Sequence, residues 1–405
     1  MNLHLQTTTI SLTKPFWLVA EHFAHQPYGF LLDSGMDPKK LGRFSFMGCR
    51  PSALLTGKRI SNSTRCHFRI NCHRWRNAEG KNSSTDSSPA ESWIGDPFEA
   101  LRNLQLEYGL SAEENPPFPF CGGLVGYLGY EMAHAVENLP DVGADDLNLP
   151  DLAFMVADEV LAHDHQTHET QLLVTGRGHT AEEAQADAMK RTREVLELME
   201  APVAADKKVF PEESQNPILA QFSRDSYMQA VERCRQHILA GDVFEICLTH
   251  RLETELEFHP WQLYKRLRKI NPAPFASWLN FSEFQVVSAS PERFLSLDQK
   301  RTAESRPIKG TRPRGENPWD DQKLRDELQN SEKDRSENVM IVDLVRNDLG
   351  KVSEIGSVEV PELLVVEPYA TVFQLVSTVR GKLLPEFDAF DLVRACFPGG
   401  SMTGA

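Results

Sequence analysis

The sequence predicts an α+β fold built on largely antiparallel sheets. Two patterns carry that expectation. Short apolar runs end in glycine, as in FLLDSG (Phe30–Gly35) and GRFSFMG (Gly42–Gly48), which is the punctuation of strands. Helical stretches with clear caps are interspersed, but strands and helices do not alternate strictly, so a parallel βα sheet is not expected.

The elements follow in order. After the first strands, Lys58 to Ser92 turns polar, and CHFRINC within it alternates like an edge strand. The run FCGGLVGYLGYEM (Phe120–Met132) mixes apolar residues with glycines, as expected where backbones pack closely beside a strand; it lacks the lysine and Ser/Thr of a phosphate loop. From Asp151 the spacing predicts two strands joined by a polar turn at Asp164–His168. TAEEAQADAMKRTREVLELM has Thr180 as N-cap, acids in its first turn and apolar residues near a 3.6 period, so it is a helix. A polar linker follows, with a boundary near Pro211. The second part opens with a helix closed by Gly241; VFEICLTHRLETELE is strand-like; WQLYKRLRKI is a helix stopped by Asn271-Pro272. ASWLNF, FQVVSASP and RFLSLD are strands, Leu324–Gly350 is one long helix, and strand character returns in VSEIGSVEVPELLVVEPY. Three segments are expected along the chain: 12–175, a helix and linker at 176–217, and 218–405.

The formal net charge of -15 argues against nucleic acid as a partner, which needs a basic surface. The N-terminus lacks a basic region followed by an apolar core, and no uncharged apolar run is long enough to span a bilayer. Seven scattered cysteines fit reduced thiols better than a disulfide framework. A cytoplasmic protein without a membrane partner is the expectation.

Four segments carry candidate chemistry. In SRPIKGTRPRG, Lys309 stands among Arg306, Arg312 and Arg314, and a like-charged setting favours the neutral, nucleophilic amine. In SASPERF, Glu292 follows a strand and Pro291, where partial desolvation keeps a carboxyl protonated as an acid for a leaving hydroxyl. In SEKDRSENVMIVDL, Glu337 shares a helix face with Ile341 and Leu344, at the border of the charged and apolar halves; a carboxylate there suits Mg²⁺. FPGGSMTGA offers consecutive backbone N–H groups around Gly400, Ser401 and Thr403 for a carboxylate or phosphate. Each segment alone also fits a solvated loop or helix; together they describe a site for a small anion.

SPERF, RPIKGT, SEKDRSENVMIVDL-RND, VPELLVVEPY, LVST and FPGGSMTGA, in this order, resemble the chorismate-utilising enzymes. The likeness runs from about Ser223 onward, and more loosely over LLDSG, GRFSFMG and GGLVGYLGYE. The resemblance implies the anthranilate synthase component I-like fold, two antiparallel sheets packed face to face with helices outside, to which both halves of the chain contribute. Lysine at position 309, in PIKGT, is similar to the aminodeoxychorismate synthase component I branch; the anthranilate and isochorismate synthase branches carry a small residue there. That branch aminates chorismate at C4 to 4-amino-4-deoxychorismate, on the route to 4-aminobenzoate and folate, with ammonia from a separate glutaminase subunit. By the same resemblance Lys309 is the nucleophile at C2, Glu292 the general acid, Glu337 a Mg²⁺ carboxylate, and Gly400, Ser401 and Thr403 the carboxylate loop. Ser34 in LLDSG matches the position at which relatives hold tryptophan.

Gln374 departs from the histidine of the anthranilate branch and is left out of the catalytic set. The resemblance also implies a C-terminally truncated sequence, lacking a second metal carboxylate and further strands, and hence a chain of little activity alone. Anthranilate synthase component I is the alternative enzyme, and a non-catalytic remnant the alternative of another class.

Overall fold

Strand register, rather than chain order, organises the structure, a computed structural model that describes residues 2–37, 39–72, 90–109, 116–203 and 216–404. Two compact units result: Met1–Lys207 with His259–Pro291, and Lys208–Phe258 with Glu292–Ala405. The first holds β1 (Asn2–Thr9), α1 (Phe16–Val19), α2 (Glu21–Ala24), β2 (Phe30–Asp33), β3 (Phe44–Gly48), β4 (Ala53–Arg59), β5 (Cys66–Cys72), β6 (Glu91–Gly95), α3 (Pro97–Glu107), β7 (Gly123–Leu128), β8 (Leu152–Ala157), β9 (Glu159–Asp164), β10 (Thr170–Gly178) and α4 (Ala181–Glu200). The second begins with β11 (Leu219–Ala220), α5 (Arg224–Ala240) and β12 (Leu252–Glu253). Then α6 (Pro260–Ile270), β13 (Phe275–Asn280) and β14 (Gln285–Ser290) return to the first unit. The second unit resumes with β15 (Arg293–Leu297), β16 (Thr302–Arg306), β17 (Ile308–Pro313), α7 (Pro318–Asn330), α8 (Glu332–Gly350), β18 (Glu359–Pro368), β19 (Val372–Lys382), α9 (Ala389–Cys396) and α10 (Gly400–Thr403).

In the first unit a seven-stranded sheet runs β1-β10-β9-β3-β2-β13-β14 and a five-stranded sheet runs β6-β5-β4-β8-β7, all antiparallel. Alternation decides the packing. Val160, Ala162, Leu173 and Leu279 of the larger sheet meet Leu54, Val125, Ala153 and Met155 of the smaller one. Their neighbours Leu161, Leu172, Val174 and Trp278 point the other way, onto Phe16, Phe23, Val195, Trp261 and Tyr264 from the helices. The layers are therefore helix, sheet, sheet, and β9 and β10 read as continuous apolar runs because both faces are buried. The hairpin β13–β14 belongs here because β13 pairs with β2, Ala276 opposite Asp33. That is why this unit gathers residues across the chain-order segments; the boundary expected near Pro211 lies outside the described residues.

Several local expectations change. Residues 151–164 form two strands, not one: β8 and β9 part at Asp158 and enter different sheets. Asp158 is fully buried, and Arg191 of α4 grips it at 2.6 and 3.0 Å while bonding Glu159 at 2.9 Å. Burial alone would raise the Asp158 carboxyl, but Arg191, Arg177 and Ser52 hold it below its ordinary value. CHFRINC is an interior strand, flanked by β4 and β6. The expected long helix Leu324–Gly350 is two helices, because Ser331 stops α7 and caps α8, its hydroxyl accepting from the Asp334 N–H at 3.3 Å. VFEICLTHRLETELE is largely irregular: it holds one isolated bridge, Ile246 to Gly404, and the two-residue β12.

The second unit is built on β19. It pairs with β16 and β17 along one edge and with β18 along the other, while β15 extends the sheet beyond β16. Helix α8 is pinned beneath it: the buried Asn338 amide donates to the Leu375 carbonyl at 3.0 Å and accepts from the Ser377 hydroxyl at 2.5 Å. Val342 and Leu349 of α8 pack with Ala303, Val379, Leu392 and Cys396. Among the described residues, no helix is long and apolar enough to cross a membrane.

Removing Arg191 would take the principal partner from two buried carboxylates. Arg191→Met is expected to cost about 3–5 kcal/mol in urea unfolding of the purified protein. Because the Asp158 carboxyl is depressed in the folded state, the pair's contribution is present above the ordinary carboxylate range and fades as pH falls through the folded value. The parent–variant gap should therefore narrow in acid, and a gap that does not narrow contradicts this reading.

Candidate active site

Register places Lys309. Pairs Thr302↔Lys382, Ser305↔Val379 and Ile308↔Val376 advance evenly along β19. Between Ile308↔Val376 and Thr311↔Gln374, however, the β16–β17 edge uses three residues where β19 uses two. The extra residue is a bulge at Lys309–Gly310, which re-aims the side chains there. Pro307 breaks the edge just before it; its carbonyl accepts from the Ser377 N–H at 3.1 Å, so the break stays anchored to β19. Gly310 has φ +92°, and a Cβ there would stand 2.7 Å from Cβ of Asp334. Only glycine fits both the backbone and the close approach to α8.

Lys309 is mostly buried and ion-paired with Glu245, which is equally buried. The like-charged setting expected from the sequence is not found. Arg306 bonds Glu367 at 2.7 Å and Thr378 at 3.0 Å; Arg312 bonds Glu327 at 2.8 Å and Asp334 at 3.0 Å; Arg314 bonds Asp321 at 2.6 Å. Each arginine carries its own carboxylate, brought by folding from elsewhere in the chain, so their positive charge is locally neutralised.

Glu292 directly precedes β15, whose Arg293 pairs with Arg306, so the register carries Glu292 to the Pro307 break. Burial raises its carboxyl above the ordinary value, against the opposing pulls of the Ser401 hydroxyl, the Lys309 charge and the Ile308 N–H. The Lys309 charge therefore acts on a carboxyl that burial holds toward its acid form. FPGGSMTGA forms a one-turn helix, α10, rather than an open turn. Gly400 sits against Leu344 and Ile341 of α8, where a Cβ would come within 2.4 Å of Leu344 Cδ2. Ser401 reaches Glu292, whereas the Thr403 hydroxyl donates to the Gly404 carbonyl at 2.8 Å.

Glu337 shares the α8 face of Ile341 and Leu344, one turn before the residues that carry Gly400. It is partly buried, and exposed Lys333 pairs with it at 3.1 Å. Among the described residues no cluster of three or more His, Cys, Asp or Glu could hold a metal by protein groups alone. Ser34 lies in the other unit; its hydroxyl donates to the Phe44 carbonyl at 2.6 Å and its N–H to Ser45 Oγ at 2.9 Å.

Glu245 is the functional candidate that sequence reasoning passed over. Its only sequence signal is a lone acid inside the apolar run VFEICL. The Glu245–Cys247 segment is clamped to the chain after α10: Ile246 bridges Gly404, and the Cys247 N–H donates to the Thr403 carbonyl at 3.3 Å. Within one unit Ser401 bonds Glu292, Gly404 bridges Ile246 beside Glu245, Glu245 pairs with Lys309, and the Lys309 charge acts on Glu292. Gln374 stands opposite Thr311, its amide oxygen buried without a hydrogen-bond partner among the described residues.

The chain that carries these residues has known relatives. Residues 64–405 match the family described as chorismate binding enzyme, and the chain belongs to that family. Within it, the chain is similar to aminodeoxychorismate synthase component 1 of Bacillus subtilis, 40% identical over 77% of this chain and 65% of that protein. It is 34% identical to the component 1 of Escherichia coli over 94% of this chain and 76% of the relative. The aminodeoxychorismate synthase of Streptomyces pristinaespiralis is 41% identical over 95% of this chain but only 51% of its own length. The chain thus spans about half to three quarters of these relatives. Anthranilate synthase component I from Streptococcus pneumoniae shares the fold, with a TM-score of 0.71 and 25% identity over 90% of this chain and 74% of that one.

Gly310→Ala tests the bulge. It is expected to lower stability by about 1–3 kcal/mol, since alanine must adopt a strained φ and push on α8. A chemical unfolding curve coincident with the parent's would show that the bulge is not the constraint described.

Proposed function

We propose that the protein aminates chorismate at C4, giving 4-amino-4-deoxychorismate, with ammonia supplied by a separate glutaminase subunit. The observation that supports this most is that Lys309 is mostly buried in the same unit as Glu292 and its charge acts on that carboxyl, which burial keeps toward its acid form. An acid and an amine side by side suit a displacement in which one expels a hydroxyl while the other attacks.

In this reading Lys309 attacks C2 of the ring, and the C4 hydroxyl departs as water with the proton of Glu292. Ammonia then attacks C4, and the bond from C2 to Lys309 breaks as the amine leaves. The substrate is a dianion, so charge must be met before it enters. Gly400 and Ser401 contribute the first two N–H groups of α10, which no carbonyl of that helix can reach; Thr403 holds the turn closed. Glu337 fits Mg²⁺ as a single, partly buried carboxylate, since this ion commonly takes one or two protein carboxylates and completes its shell with water and substrate oxygens. When bound, the ion would neutralise a substrate carboxylate.

With chorismate, Mg²⁺ and ammonium supplied, Lys309→Ala is expected to lose about a thousandfold or more in amination while remaining folded by circular dichroism. Full activity, or release of pyruvate by the parent in place of aminodeoxychorismate, contradicts the proposal. Glu292→Gln should lose about 10²–10⁴-fold. Because the Glu292 carboxyl is raised, the parent keeps its acid to higher pH than an ordinary glutamate and loses rate as that proton leaves. The variant should lack this alkaline limb. Parent and variant sharing it would remove Glu292 from the acid role.

A further inference from the structure

The site as folded presents a chemical difficulty. Lys309 meets a carboxylate, so it rests as an ammonium donor, yet attack on carbon needs a neutral amine with its lone pair available. The arginines cannot drive the proton off, because each is neutralised by its own carboxylate. The proton must go to a group already in contact.

We propose that Glu245 is the catalytic proton acceptor for Lys309, an inference that rests on the nucleophilic role proposed above. Three observations carry it. Among the described residues Glu245 makes the one ion pair of Lys309, through Oε1. Its Oε2 is buried with no hydrogen-bond partner among the described residues, so no other donor competes with Lys309 for this carboxylate. Its backbone is fixed against the turn after α10: Gly404 has φ +94°, and a Cβ there would lie 2.2 Å from the Glu245 carbonyl oxygen.

The other charged groups around Lys309 are committed. Glu292 must arrive protonated to release the hydroxyl, so it cannot also receive the lysine's proton. Asp334 of α8, packed beneath Gly310, is held by Arg312, which also bonds Glu327.

The step balances. A proton moves from Lys309 Nζ to Glu245 Oε1, leaving a neutral amine and a neutral carboxyl. The amine's lone pair forms the bond to C2, the ring electrons shift, and the C4–O bond breaks, its electron pair taking the Glu292 proton to leave water. The new secondary ammonium later leaves C2 as neutral Lys309 when ammonia bonds to C4. Lys309 then recovers its proton from Glu245, and the ammonium formed at C4 returns a proton to Glu292.

The proton transfer has a signature in pH. With Glu245 present, the reactive amine forms by transfer inside the pair, so its fraction is independent of pH across neutrality. In Glu245→Gln the proton must go to solvent, and the rate should rise about tenfold per pH unit. Two readouts are needed: single-turnover formation of the Lys309–chorismate adduct without ammonia, and acetylation of Lys309 by a water-soluble acyl ester, quantified on its peptide. Both should be flat between pH 6 and 8 in the parent and steep in Glu245→Gln. Glu245→Asp, which keeps a carboxylate, should regain the flat profile, and melting temperatures confirm that both variants fold.

Acetylation profiles that coincide in parent and Glu245→Gln overturn the assignment, whatever chorismate does. A flat parent and steep variant in acetylation, with no adduct on Lys309 in the parent, would overturn the proposed function and leave the proton transfer standing. An adduct that forms with the same pH profile in both proteins would keep Lys309 as nucleophile and reduce Glu245 to a structural counter-ion.

Discussion

Strand β19 acts as the ruler of the second unit. It is fully laddered on both edges, and its register with β16 and β17 gains one residue only at Lys309–Gly310. A strand edge that stayed in step would carry position 309 through the ladder as one more alternating side chain. The bulge takes it out of step, Pro307 removes a donor beside it, and Gly310 lets the backbone close on α8. Moving any of these shifts the lysine relative to both carboxylates, because Glu292 is registered to the same edge and Glu245 to the turn against α8.

Much of this was legible in the sequence. The glycine-bounded strands at Phe30 and Phe44, the Thr180 cap and the Gly241 stop signal themselves through local chemistry, and local chemistry is what sequence shows. Lys309, Glu292 and Ser401 could be singled out because each sits beside proline or glycine. Long-range pairing was not legible. Residues 151–164 read as one strand because Asp158 looks like a surface acid until Arg191, over thirty residues away, is brought to it. Ser331 looked like a polar residue within a charged helix, although it is the cap that divides it. The basic loop misled for the same reason: Glu367 and Asp334 neutralise it from distant positions, and Asp321 from the next helix.

Glu245 shows what such blindness costs a functional reading. Its segment has almost no regular structure of its own and is held by one bridge to Gly404. No local periodicity marks it, yet it supplies the carboxylate paired with Lys309. The pair also reverses the first electrostatic expectation. Rather than surrounding Lys309 with positive charge, the fold holds a carboxylate in contact with it and neutralises each arginine separately. In the proposed reading an anionic substrate meets a site whose side-chain charges are paired, and the first N–H groups of α10 receive it.

The central claim is that the bulge aims position 309 at one carbon of the substrate while Glu292 faces the hydroxyl two carbons away. A crystal structure of the Lys309→Met variant with chorismate and Mg²⁺, in which attack cannot occur, tests it most directly. The account predicts C2 of the ring in van der Waals contact with the methionine side chain and the C4 hydroxyl within hydrogen-bond distance of Glu292. A ring bound in the reverse sense, with its C4 hydroxyl turned away from Glu292, or seated elsewhere in the protein, would contradict it.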